Sequence, residues 1–118
     1  MYDNDITWFS EGLAKVKQNG KYGYIDKTGN QVIPCIYDDA GYFHEGLAAV
    51  EQNGKYGYID KNGKTIIPFD YDCDDFNYVI SYGYFYKGYA KVFKQGRNGV
   101  ISKENKVVIP FNDYSIIW

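Results

Sequence analysis

The chain has little of what most catalytic and structural-metal chemistry requires. In 118 residues there are one His, two Cys, one Met, two Trp and three Pro. A disulfide framework would need more cysteines at regular spacing, so Cys35 and Cys73 read as reduced thiols. Lys and Arg number 13 against 15 Asp and Glu, a net charge of −2. There is no basic excess to hold nucleic acid and no polybasic run for an anionic membrane. No stretch approaches the length of a transmembrane helix. The opening Met1-Tyr2-Asp3-Asn4-Asp5 is acidic with no apolar run behind it. No signal peptide is expected, and the expected location is the cytoplasm.

What the chain does have is aromatic residues, glycine and repetition. Tyr (14) and Phe (7) dominate the apolar content, which favours strands, and 13 Gly imply frequent turns. Phe-x-Glu-Gly-Leu-Ala begins at Phe9 and again at Phe43. Asn-Gly-Lys-Tyr-Gly-Tyr-Ile-Asp-Lys begins at Asn19 and again at Asn53. A more divergent copy follows at Tyr86-Lys87-Gly88-Tyr89-Ala90, Gly96 to Ile101 and Val108-Ile109-Pro110. A period of this size marks an array of supersecondary units that bury their faces on one another. The expected organisation is one domain of three units, about 9–42, 43–84 and 85–118.

Each unit reads as three antiparallel strands. Asn19-Gly20 suits a two-residue hairpin loop, since both positions favour positive φ. That loop sets Gln18 opposite Lys21, Val16 opposite Gly23 and Ala14 opposite Ile25. One sheet face then carries Ala, Val, Gly and Ile in all three copies, small enough for close approach by another layer. Turns at Thr28-Gly29, Asn62-Gly63 and Glu104-Asn105 lead to a third strand, which puts Val32, Ile66 and Val108 on that small face. Pro34, Pro68 and Pro110 cannot donate to a ladder, so the third strand is expected to stop there or to lie at an edge. The opposite face holds Leu13, Tyr22, Tyr24 and Ile33 with Lys15, Lys17 and Asp26. Both faces being partly apolar implies sheets stacked on neighbours, or a curled sheet. Solenoid-like, barrel-like and propeller-blade-like stacking are all compatible with this unit.

Lys21-Tyr22-Gly23-Tyr24-Ile25-Asp26, Val32-Ile33-Pro34, Tyr37-Asp38 and Phe43 to Val50 resemble the bacterial WG, or KWG, β-repeats. The signature tryptophan of that family is Tyr22, Tyr56 and Asn98 here. The resemblance implies an all-β repeat fold and a structural or interaction role. It implies no catalytic residues.

The chemistry-bearing residues are sparse. Asp70-Tyr71-Asp72-Cys73-Asp74-Asp75 is the densest acidic run. It lacks the glycine and the bidentate glutamate of the helix-loop-helix calcium pattern, so it reads as a solvated turn. His44 sits at a variable loop position with no nucleophile beside it, and its neighbour Glu45 is repeated as Glu11, which favours a structural role. Asn19-Gly20-Lys21 lacks the glycine loop and helix of a phosphate site. No cofactor and no metal site are expected.

Tyrosine remains. It couples large apolar area and few rotors to a polar tip, which suits recognition surfaces. The connection before the third unit is eight residues longer than the one before the second and carries Tyr78, Tyr82, Tyr84 and Tyr86. A break in period that adds aromatics is where a scaffold carries specificity. Covering an exposed sheet edge is the competing use. Tyr22 and Tyr56 are further candidates, set against packing between units with hydroxyls at the rim; Tyr24 and Tyr58 read as packing. The expectation is a non-catalytic module that binds a protein partner, in the manner of a small bacterial inhibitor or immunity-type protein, with a homodimer possible through unpaired ends. The alternative is a carbohydrate or cell-wall binding module built on stacked aromatic rings.

Overall fold

The computed structural model describes residues 9–72 and 84–112. These form eleven strands: β1 (Phe9–Ser10), β2 (Leu13–Gln18), β3 (Lys21–Asp26), β4 (Gln31–Tyr37), β5 (Asp39–Ala40), β6 (Ala48–Gln52), β7 (Lys55–Ile59), β8 (Thr65–Asp72), β9 (Tyr89–Lys94), β10 (Arg97–Ser102) and β11 (Val107–Asn112). They make three separate antiparallel sheets, ordered β1-β2-β3-β4, β5-β6-β7-β8 and β9-β10-β11. The architecture is all-β, and the sheets are stacked rather than closed into a barrel.

The hairpin register follows the sequence. Gln18 pairs with Lys21, Val16 with Gly23 and Ala14 with Ile25. Val50 pairs with Gly57 and Val92 with Gly99. The turn residues Asn19 and Asn53 have φ of 53° and 54°, and the glycines after them 80° and 83°. Asn and Gly tolerate this left-handed region better than other residues, which is why the loop closes in two residues.

Of the two alternatives for the proline-bearing third strand, the structure takes the edge: β4 runs through Pro34 to Tyr37 as an edge strand, where a missing donor costs no ladder bond. It is also bulged. Tyr24 pairs with Ile33, yet Ile25 pairs with Gln31 and Tyr22 with Tyr37. The irregularity displaces Val32 from the small face, and Val32, Ile66 and Val108 are exposed, at 39%, 39% and 50%. Cys35 packs against Ala14, Val16 and Ile25 instead.

The bulge explains the invariant glycine of the middle strand. A Cβ on Gly23 would lie 2.4 Å from the Ile33 carbonyl oxygen, and one on Gly57 would lie 2.3 Å from that of Ile67. The edge strand's backbone crosses where a side chain would stand.

A second departure concerns the connections. The first two sheets have four strands, because β1 and β5 add short edges ahead of β2 and β6. Asp39–Ala40 of the first connection thereby belongs to the second sheet.

Two mixed cores hold the stack. Tyr24, Ile33 and Tyr37 of the first sheet meet Ala48, Val50 and Ile59 of the second. Tyr56, Tyr58 and Ile67 of the second meet Ala90, Val92 and Ile101 of the third. The large aromatic face of each sheet therefore sits on the small face of the next. Small residues let the sheets approach while aromatic rings fill the gap.

Candidate functional site: a tyrosine patch on the third unit

The repeated polar residues must be assigned before any is offered for function, since most of them join units. The Glu11 carboxylate accepts hydrogen bonds from the backbone N–H groups of Glu45 (2.7 Å) and Gly46 (2.8 Å). The Glu45 carboxylate does the same for Lys87 and Gly88. Lys61 stands 3.6 Å from Glu11, and Lys103 stands 3.3 Å from Glu45. Each glutamate thus anchors the Glu-Gly turn of the following unit, or its Lys87-Gly88 counterpart. The turn amides are available because residues at positive φ direct both N–H groups out of the ladder.

Aspartates do the same at the opposite end of the sheets. Asp38 pairs with Lys21 and accepts from the Asn53 N–H at 2.9 Å. Asp72 pairs with Lys55 and accepts from the Gln95 N–H at 2.7 Å. Asp26 and Asp60 each cap their own turn, through the N–H groups of Thr28 and Asn30, and of Asn62 and Lys64. These donors, with the Thr28 hydroxyl foremost at Asp26, hold the carboxyls of Asp26, Asp38, Asp72 and Glu45 below the usual carboxylate range. Asp72, read in sequence as part of a solvated turn, is in strand β8 and does structural work. Among the described residues no group of His, Cys, Asp and Glu is arranged to hold a metal ion.

The aromatic residues divide by burial. Tyr24 and Phe43 meet edge to face at 4.8 Å, and Tyr58 and Phe85 at 4.9 Å. Phe43 and Phe85 are the anchors that pin each connection onto the preceding sheet. The Tyr24 hydroxyl donates to the buried Gly41 carbonyl. The Tyr58 hydroxyl is wholly buried and finds no partner among the described residues. Neither hydroxyl reaches the rim. Tyr56 is 1% exposed and lies in the core between the second and third sheets. Tyr22 is half-buried under the ammonium groups of Lys15 and Lys17, at 5.3 and 5.4 Å from its ring centroid. Lys15 is itself buried, donating to the Ala40 carbonyl at 3.1 Å. Burial lowers its pKa, and Asp39 opposes that shift. Tyr78 and Tyr82 lie outside the described residues.

Tyr84 and Tyr86 are different. They flank buried Phe85 and face outward, Tyr84 at 41% and Tyr86 at 53% exposure. The alternation is that of an extended segment with one residue pinned inside. Tyr86 bridges to Tyr89 across the Lys87-Gly88 turn, and Tyr89 is 43% exposed. Tyr84 rests on the His44 ring at 4.8 Å, and the Lys87 ammonium stands 5.4 Å from the Tyr86 centroid. Three exposed tyrosines therefore stand together at the start of the third unit, with Tyr84 at its junction with the second.

Tyr89 was not singled out from the sequence. It occupies the position of Leu13 and Leu47, both 7% exposed. A tyrosine in place of a repeated leucine, on the last unit, was the available signal.

A stack of β-meanders joined by carboxylate-to-turn bridges, with aromatic faces on small faces, defines a β-repeat protein. The WG-containing repeat matches residues 2–22, 22–56 and 56–72, more than half of the chain, and the protein belongs to that family. The third sheet extends the same hairpin register beyond the matched residues. Neither a curated protein nor a solved structure matches the chain.

Proposed function

We propose that the protein is a non-catalytic module that binds a protein partner in the cytoplasm through the corner formed by Tyr84, Tyr86 and Tyr89. One observation carries the reading. Three large side chains stand exposed together at the place where the repeat period breaks, on a segment anchored by buried Phe85. Exposed aromatic clusters on rigid elements are typical binding anchors, because little rotamer freedom is lost when they are covered. The repeated carboxylates, by contrast, are engaged in holding units together. Blocking a partner by shape, as small inhibitor or immunity-type proteins do, suits a module of this size.

The test compares the intact protein with a Tyr86→Ser, Tyr89→Ser variant in affinity capture from the source lysate. Both side chains are exposed, so the variant should keep its melting temperature. A protein retained by the intact chain and lost by the variant supports the reading. Equal retention by both, or retention of none, counts against it.

A further inference from the structure

We infer that the tyrosine corner is built for an acidic partner segment. This inference deepens the protein-binding reading and depends on it. Its first support is charge. In the third unit, residues 85–118, there are six Lys or Arg against two acidic residues, Glu104 and Asp113, within a chain whose net charge is −2. The third unit is thus net positive in a net negative chain, and its Lys87 stands at a patch tyrosine.

Its second support is Lys87. At this position the preceding units carry Glu11 and Glu45, whose carboxylates reach forward to the next turn. Lys87 has the same backbone conformation, φ 53° against 53° and 52°. The fold therefore asks for a residue that tolerates this turn and does not require a cation. The ammonium stands 5.4 Å from the ring centroid of exposed Tyr86. The Glu45 carboxylate is met by Lys103 and by the Lys87 and Gly88 amides. A cation over an aromatic surface favours a ligand that places a carboxylate beside apolar atoms. An acidic peptide segment with apolar residues between its carboxylates has that chemistry.

The experiment is fluorescence anisotropy with labelled peptides of equal length: one rich in Glu and Leu, one with Gln for Glu, and one with Lys for Glu. The acidic peptide should bind, and the other two should not. Lys87→Glu should weaken binding about tenfold, and Lys87→Arg should preserve it. Raising NaCl from about 50 mM to about 500 mM should weaken binding by a comparable factor. Lys27→Glu, an exposed lysine on the first unit, should have no effect. Equal binding of all three peptides, or equal losses from the Lys27 and Lys87 variants, would overturn the inference. So would binding of a single-stranded oligonucleotide or of a second copy of the chain in place of the acidic peptide. A lysate partner that is lost with the Tyr86→Ser, Tyr89→Ser variant but indifferent to Lys87→Glu would sink this inference while leaving the protein-binding reading intact.

Discussion

Glu11 and Glu45 are joined head to tail: the carboxylate of the first holds the backbone N–H of the second, 34 residues further on, at 2.7 Å. Glu45 repeats the act 42 residues on, at Lys87. The contact survives the longer second connection, so the spacing of the units in space does not depend on the length of chain between them. The bridge belongs to the unit, and the connection is free to vary.

Removing one bridge should loosen one junction only. Glu45→Ala should speed hydrogen exchange at the Lys87 and Gly88 amides and leave Glu45 and Gly46 protected. Glu11→Ala should do the reverse. Amide-resolved exchange by NMR distinguishes the two. Equal loss of protection at both junctions under either substitution would show that the bridges do not act locally.

The bulge makes Gly57 a backbone requirement. Gly57→Ala should destabilise by about 3 kcal/mol or more, because Cβ would meet the Ile67 and Pro68 carbonyl oxygens, which cannot withdraw without dismantling β8. Gly99→Ala should cost less. There the nearest atoms belong to the Phe111 ring at 3.0 Å and to the Ile109 carbonyl at 3.1 Å, and the ring can shift. Urea unfolding of the two variants checks the order.

Two buried tyrosines in equivalent strands should respond oppositely to loss of the hydroxyl. Tyr24→Phe leaves the buried Gly41 carbonyl without its donor and should cost about 1–2 kcal/mol. Tyr58→Phe removes a buried hydroxyl that lacks a partner among the described residues, and stability should hold or rise by up to about 1 kcal/mol. Thermal unfolding of both variants in one buffer is sufficient.

Acid should unfold the stack through its carboxylates. Hydrogen bonds from Lys21 and Lys55, and then from the Asn53 and Gln95 amides, hold Asp38 and Asp72 below the usual carboxylate range. The folded pKa lies below the unfolded one. The stabilisation is therefore complete above the ordinary carboxylate pKa of about 4 and is lost as pH falls through the folded values. Melting temperature should drop steeply below about pH 4. The double variant Asp38→Asn, Asp72→Asn should melt lower at neutral pH and lose less on acidification.

The hairpins were legible in the sequence because their cause is local. Asn-Gly fixes the loop, the loop fixes the register, and the register sorts Ala14, Val16 and Ile25 from Tyr22 and Tyr24. The bulge was not legible. Val-Ile-Pro reads as a strand that ends, and the glycine of the middle strand signals a close approach without naming what approaches. Tyr56 and Tyr86 show the limit for the site. Both are tyrosines in turn-rich aromatic segments, and only the stacking of the third sheet makes one core and the other surface. That difference arises between units, where no pattern within a unit can reveal it. Repetition marked Glu45 as structural, but the donors it reaches, like the Gln95 amide that Asp72 reaches, lie on another unit and were hidden for the same reason.

The proline-bearing edge strands carry one more consequence. Pro34, Pro68 and Pro110 sit in β4, β8 and β11, each the last strand of its sheet, with exposed Val32, Ile66 and Val108 beside the irregular backbone. An edge with apolar side chains and a free ladder would invite sideways pairing between molecules. A residue without an N–H, set in a bulged strand, spoils that template at the same place in every unit. Each added unit therefore brings an edge already blunted against sideways pairing.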